Sequence, residues 1–434
     1  MTYEESIQYL YEQLPMFTRV GAAAYKEDIH NTVALCAALN NPQHSFKSIH
    51  IAGTNGKGST SHMLAAILQQ AGYKTGLYTS PHILDFGERI RINGDMIDQD
   101  FVIDFVERTK QLCIDIQPSF FELTVAMAFS YFASKEVDIA VIETGLGGRL
   151  DSTNIINPLL SIITNIGYDH MQLLGSTLPK IAFEKAGIIK NGIPVVIGET
   201  LPETIPVFEE KASDMTAPLY LAEKRFAVTG SHPHDQYLAC EIHDLLNDTK
   251  ENYLLDLTGL YQSRNICTVL TSVSVLKEQG FSISNEQVHT ALQQVKKTTG
   301  LRGRWDVVSK NPTVIFDVAH NEDGIRQLLQ QLSIQYPSAT IHFVLGFVQD
   351  KDVSKVLSLL PRDGKYYFTN AHIPRAMPHQ ILQEKAEEYQ LNGKSYDQAD
   401  DALEAARSEA GSEDVIMVCG SFFVIAELSS IKSV

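Results

Sequence analysis

Apolar residues fall along this chain in two rhythms: short unbroken runs, and spacings of three and four. The runs predict buried strands at 47–51, 75–79, 138–145, 160–164 and 194–198. Residues 89–94 read as a strand entering a tight turn. The wider spacing predicts helices over 3–15, 26–40, 61–71, 101–113, 179–189 and 263–278, and another opening at Ser119. In the helix at 61–71 the apolar positions are Met63, Leu64, Ile67, Leu68 and Ala71. Two alternating runs, 237–242 and 253–257, predict a small antiparallel appendage. A basic, glycine-containing stretch at 296–305 breaks the pattern, which then resumes. Strands are expected at 313–316, 341–345, 366–369 and 415–418, with helices at 323–334, 353–360, 378–389 and 398–410. The expected architecture is α/β: a mostly parallel sheet domain with its appendage over residues 1–298, and a smaller Rossmann-like α/β domain over 299–434.

Between the first buried strand and its helix lies Gly53-Thr54-Asn55-Gly56-Lys57-Gly58-Ser59-Thr60. Strand, glycine-rich turn and helix together form a phosphate cradle. Glycines let successive N–H groups point inward, and the helix adds its positive end. Lys57 would reach the outer phosphates, and Ser59 or Thr60 a magnesium ion. The spacing departs from Gly-x4-Gly-Lys, since Ile51 stands where the first glycine belongs and Gly58 separates Lys57 from Ser59. An ordinary glycine-rich turn is the alternative. Other strand ends also carry polar groups. Ser80-Pro81 follows one strand and reads equally as a turn. Glu143 closes an apolar run, as a carboxylate serving a magnesium–phosphate site would. His170 follows the next strand, as a structural residue or a ligand. Ser119 and Glu122 have capping-box spacing. Glu184 and Lys185, mid-helix, read as a solvent-facing pair. Tyr25 and Lys26 read as a solvated loop, with a ligand contact as the alternative.

Composition narrows the function classes. A chain of 434 residues exceeds one ordinary core. No apolar stretch spans a membrane, and no signal peptide is evident at the N-terminus. The 5 cysteines are scattered without CxxC spacing, as in a cytoplasmic protein with reduced thiols. The net charge of −17 disfavours a nucleic-acid partner. The absence of an Asn-Lys-x-Asp signature favours ATP over GTP.

Five segments in order carry a resemblance: Gly53 to Ser59, Ser80-Pro81-His82, Glu143 to Asp151, Glu184-Lys185-Ala186-Gly187-Ile188, and Asp317-Val318-Ala319-His320-Asn321. Together the sequence resembles the folylpolyglutamate synthase/dihydrofolate synthase family of Mur-type amide ligases. The resemblance implies ATP-dependent ligation of L-glutamate to dihydropteroate or reduced folates, through an acyl phosphate, with two magnesium ions. It implies that Gly53 to Ser59 bind ATP phosphates, with Asn265, Arg304 and Asp317 as further nucleotide contacts. Ser80, Glu143 and His170 correspond to metal ligands, and Lys185 to a lysine carbamylated by CO2, which reverses its solvent-facing reading. His170 and Lys185 form the catalytic set, and His320 and Ser421 the glutamate contacts. Ser119, Phe120, Phe121, Glu122 and Leu150 correspond to the pterin site, although both phenylalanines could equally be core. Tyr261-Gln262 replaces the usual His-Gln, and Val318 a usual glycine. The expected enzyme is a monomer taking small-molecule substrates only. Two other readings compete: a Mur-type ligase acting on another carboxylate, which the short stretch before the loop disfavours, and a non-catalytic nucleotide-binding regulator, which the Glu143, His170 and Lys185 set disfavours.

Overall fold

The structure, a computed structural model, describes residues 1–16, 28–349 and 352–433. Tyr25 and Lys26 lie outside them, as does the start of the helix expected from residue 26. The chain divides into two compact units, Met1–Leu257 with Tyr261–Leu301, and Thr258–Leu260 with Arg302–Val434.

The first unit is built on an 8-stranded sheet. Its strands are β1 (Lys47–Ala52), β2 (Thr75–Tyr78), β3 (Ile90–Ile92), β4 (Asp95–Met96), β5 (Ile139–Glu143), β6 (Leu160–Ile163), β7 (Val195–Ile197) and β8 (Leu219–Leu221), in the order β4-β3-β2-β5-β1-β6-β7-β8. Neighbouring strands are parallel except where the reversed β3 pairs with β2 and β4. The continuous apolar runs follow from this, because helices cover both faces of the parallel strands. On one face, Phe105, Phe129 and Phe132 gather over β2 and β5, and Ile181, Ile188 and Phe208 over β6 and β7, as the strand register requires. The chain winds outward from β1 in both directions. That places the carboxyl end of β1 where strand order reverses, the usual ligand crevice of open α/β sheets.

The helix after β1 spans Lys57–Gln70, starting four positions before its apolar periodicity. Gly58, Ser59, Thr60 and Ser61 are small and polar, so the pattern conceals that they are already helical and buried. The appendage has three strands, β9 (Phe226–His234), β10 (Tyr237–Asp244) and β11 (Thr249–Leu255), ordered β11-β10-β9. Leu238, Cys240 and Ile242 are its buried face. β9 escaped the pattern because Gly230, Pro233 and flanking histidines interrupt its alternation.

The second unit holds a 6-stranded sheet: β12 (Asp306–Lys310), β13 (Thr313–Phe316), β14 (Ile341–Leu345), β15 (Lys365–Phe368), β16 (Gly393–Ser395) and β17 (Val415–Cys419), ordered β12-β13-β17-β14-β15-β16. Only β12 is antiparallel. Ile325, Leu328 and Leu332, at helical spacing on Glu322–Gln335, join Ile315, Phe343 and Met417 in its core. β13 and β17 are neighbours, so the loops after Phe316 and Cys419 emerge side by side. Among the described residues no helix is long and apolar enough to cross a membrane.

Candidate active site

The loop after β1 is shaped by two glycines that nothing larger could replace. Gly53 has φ +150°, and a Cβ there would lie 1.8 Å from Thr164 Oγ1. Gly56 has φ +81°, and its Cβ would lie 2.5 Å from Asn265 Oδ1. Gly56 caps the helix, whose first backbone bond runs from Thr60 N to Gly56 O at 2.9 Å. The amides before Thr60 therefore face outward at the positive helix end, the arrangement that receives phosphate.

Two neighbouring segments clasp this loop. From the end of β6, Asn165 accepts at its carbonyl from Thr54 N (3.0 Å) and at Oδ1 from Asn55 N (2.8 Å). Thr164 Oγ1 donates to Asn55 O at 2.6 Å. From the helix Gln262–Glu278, Gln262 Nε2 donates to Ser59 Oγ (3.0 Å) while its Oε1 accepts from Asn265 Nδ2 (2.7 Å). Asn265 thus sits against the loop, through a buried amide pair. Thr164, Asn165 and Gln262 received no role from sequence. The available signal was their position: polar residues just past a buried strand or opening a buried helix.

Two lysines meet at one carbonyl. Lys57 Nζ donates to Gly53 O (3.1 Å) and Thr54 O (3.2 Å). Lys185 Nζ donates to the same Gly53 O at 2.8 Å, from a side chain only 4% exposed. Burial, and next the charge of Lys57, push the Lys185 pKa down to about 7, against the opposing pull of Asp169 and Asp151. A substantial neutral fraction is therefore present near pH 7, and a neutral amine is the form that reacts with CO2. The solvent-facing reading fails for Lys185 because the helix Leu178–Ala186 turns it inward. Glu184 takes the outer position, paired with Arg149 through Nη2 at 2.9 Å and Nε at 3.2 and 3.3 Å.

β2, β5, β1 and β6 are adjacent and parallel, so their carboxyl ends share one edge. Glu143, 4% exposed, ends β5 in register with Ile51. Ser80 stands just beyond β2, and His170 beyond β6, with Nε2 3.8 Å from Asp169 Oδ2. Among the described residues no three His, Cys, Asp or Glu side chains form a metal-binding group. The expected set of Ser80, Glu143 and His170 holds only two such residues.

The segment at 119–122 divides by environment. Ser119 and Glu122 form the capping box: Ser119 N donates to Glu122 Oε2 (2.6 Å) and Glu122 N to Ser119 Oγ (3.2 Å). Asn31 Nδ2 also donates to Glu122 Oε2, at 3.3 Å. Phe120 is buried among Tyr11, Phe86 and the Arg89 guanidinium, whose carbon lies 5.2 Å from its ring centre. Phe121 is only partly buried and lies against Gly145 and Tyr78. Partly exposed Leu150 is on the same Gly145 loop, held by buried Asp151, whose Oδ2 accepts from Leu146 N at 2.8 Å. Of the two rings, Phe121 is the one with surface to offer. Buried Arg89, which donates from Nε to His82 Nδ1 at 2.7 Å, received no role from sequence, because the run 89–94 read only as a strand entering a turn.

In the second unit, Asp317 ends β13 and accepts from Trp305 N (2.9 Å) and Ala319 N (2.8 Å). His320 Nδ1 lies 2.9 Å from Val318 O. Ser421 caps the helix Phe422–Glu427, accepting from Phe423 N at 3.1 Å. The His320 ring and the Arg304 guanidinium both pack on Phe422, at 6.2 and 5.2 Å. Arg304, His320 and Ser421 are thus brought together around one ring.

Comparison with known proteins identifies the family. Residues 51–272 match the Mur ligase middle domain, and residues 303–422 the Mur ligase, glutamate ligase domain. The dihydrofolate synthase/folylpolyglutamate synthase of Bacillus subtilis is 32% identical over 438 residues, covering 98% of each chain. The structure of Mycobacterium tuberculosis folylpolyglutamate synthase complexed with ADP and AMPPCP superposes with a TM-score of 0.86 at 28% identity, covering 99% of this chain and 98% of that one. Escherichia coli FolC in complex with DHPP and ADP gives 0.83 at 28% identity, covering 100% and 98%. The chain belongs to the folylpolyglutamate synthase/dihydrofolate synthase family, the ATP-dependent, amide-forming ligases built from Mur-type domains.

Proposed function

We propose that this chain ligates L-glutamate to dihydropteroate and extends the glutamate tail of reduced folates. The convergence of Lys57 and buried Lys185 on the Gly53 carbonyl carries this reading. A simple nucleotide switch has no use for a second, near-neutral lysine beside its phosphate loop. The outward amides of Gly56 to Ser59 and the Lys57 ammonium bind and orient the ATP phosphates. An acceptor carboxylate oxygen attacks the γ-phosphorus, forming an acyl phosphate and releasing ADP. The glutamate amine then attacks the acyl carbon, loses a proton, and phosphate departs as the amide forms. Phosphorylation matters because a carboxylate oxygen is a very poor leaving group, whereas phosphate is a good one.

Ser80, Glu143 and His170, with Lys185 as its carbamate, would hold magnesium. A carboxylate, a hydroxyl and a carbamate are hard oxygen donors that suit that ion. Bound magnesium supplies neutralisation of phosphate charge. Asn265, Arg304 and Asp317 are assigned to the nucleotide, His320 and Ser421 to glutamate. Ser119, Phe120, Phe121, Glu122 and Leu150 are assigned to the pterin, with Phe121 and Leu150 the strongest on exposure and Glu122 bound to a structural duty. The buried free thiols fit a cytoplasmic location, and the enzyme is assigned as a monomer.

The deciding experiment supplies purified protein with Mg-ATP and L-glutamate, and offers 7,8-dihydropteroate and tetrahydrofolate monoglutamate separately. Mass spectrometry should find a glutamate added to both. Product from tetrahydrofolate alone would remove the pterin-carboxylate assignment at 119–122, and product from dihydropteroate alone would remove tail extension. Neither product would point to a different carboxylate.

A further inference from the structure

The antiparallel appendage encloses a cavity of about 310 Å³ against the helices Gln262–Glu278 and Asn285–Leu292. Its floor is apolar and buried: Phe226, Ile242, Tyr253, Leu270, Val273 and Val288. Its rim carries both signs of charge, but the two signs are not equally engaged. Asp244 is saturated. It accepts from Leu246 N (3.0 Å), Asn247 N (3.1 Å), Asn247 Nδ2 (2.8 Å) and Arg225 Nη2 (3.0 Å). Glu251 Oε2 accepts from the Tyr253 hydroxyl at 2.7 Å and lies 3.4 Å from His289 Nε2. The cations keep capacity in reserve. Among the described residues Arg225 spends only one guanidinium nitrogen on a hydrogen bond, Nη2 on Asp244, and its other terminal nitrogen has no protein acceptor. Lys277 Nζ donates to the neutral Asn285 Oδ1 at 2.9 Å, and among the described residues no carboxylate lies within ion-pair distance of it.

We propose that this cavity is a binding site for a small organic anion, its carboxylate or phosphate head held by Arg225 and Lys277 and its apolar body seated on the floor. A guanidinium with a donor to spare and an ammonium facing only a neutral amide oxygen hold an anion more strongly than water or a neutral group, because charge-assisted hydrogen bonds are the stronger ones. The volume, at the low end for ligand pockets, admits a single substituted ring and excludes a folate. The assignment is independent of the ligase reading, since it uses none of that site's residues.

Titration with 4-fluorobenzoate, 4-fluorophenyl phosphate and the uncharged 4-fluorobenzyl alcohol, followed by 19F NMR on the full chain, tests it. Saturable binding of one or both anions in the millimolar range or tighter is expected, and the preferred anion identifies the head group. Lys277→Gln, at an exposed position, and Arg225→Gln should each weaken binding about tenfold, the size of one charge-assisted hydrogen bond. Ser274→Phe, at a partly exposed lining position, should abolish it by filling the space. Circular dichroism confirms that each variant is folded. Equal affinity for the alcohol, undiminished binding in Lys277→Gln and Ser274→Phe, or no saturation by either anion would each overturn the proposal.

Discussion

Lys185 illustrates how one side chain can join stability to chemistry. Its amine is easier to deprotonate in the folded chain, so unfolding takes up a proton between about pH 7 and the ordinary lysine range. Stability should therefore rise with pH across that window, by at most about 1.4 kcal/mol per pH unit, and level off below about pH 7. Urea unfolding at a series of pH values should show this slope, and Lys185→Met should remove that part of it. In the assay, Lys185→Ala should lower turnover at least about 100-fold while ADP still binds, the scale of losing one preorganised charge in an active site. If the lysine works as a carbamate, wild-type activity should fall in bicarbonate-depleted buffer and return on adding bicarbonate. Gly53 is as exacting as Lys185, for steric reasons. Gly53→Ala would bring a methyl within 1.8 Å of Thr164 Oγ1 at φ +150°. A loss of about 2 kcal/mol or more is expected by urea unfolding, together with loss of ADP binding by calorimetry. Adding Thr164→Ala should recover part of the stability, because it relieves the clash but not the backbone strain.

At the scale of elements, the nucleotide loop depends on what presses against it. The helix Gln262–Glu278 holds Ser59 through the Gln262 amide, so Gln262→Leu should destabilise the chain by about 1–3 kcal/mol and raise the ADP dissociation constant. At the other helix start, Ser119→Ala should cost about 1 kcal/mol by urea unfolding, whereas Glu122→Gln keeps an acceptor for Ser119 N and should cost less. These elements also show why parts of the structure were readable in advance. A strand buried on both faces is an apolar run, so β1, β5 and β6 were plain, and with them the strand-end positions of Glu143 and His170. The capping box was plain because it is local. Position on a strand end is local too, but contact across the sheet is not. Nothing in the run Thr164-Asn165 tells that it grips Asn55, and nothing local to Lys185 tells that its helix turns it beneath Gly53. The resemblance supplied Lys185, and only folding supplied its partner. β9 and the first turn of Lys57–Gln70 were concealed for the opposite reason, since small or polar residues occupy regular structure there.

For the whole molecule, nucleotide binding and folding are linked by mass action. ADP at about 100 times its dissociation constant should stabilise the wild-type chain by about 2.7 kcal/mol, and Gly53→Ala should show almost none of that gain. The sheets also bear on assembly. Every exposed strand border is unsuited to receiving another chain. β4 has two residues and includes Asp95, and β8 and β16 have three each, with Lys394 on β16. β9 carries Gly230 and Pro233 and pairs with β10 through a bulge. β11 presents Lys250 and Glu251, and β12 is bulged against β13. Short, charged, kinked borders give an incoming strand no straight row of amides and carbonyls to copy. A chain carrying two open sheets and a ribbon thereby offers a second copy of itself no ready template for zipping edge to edge.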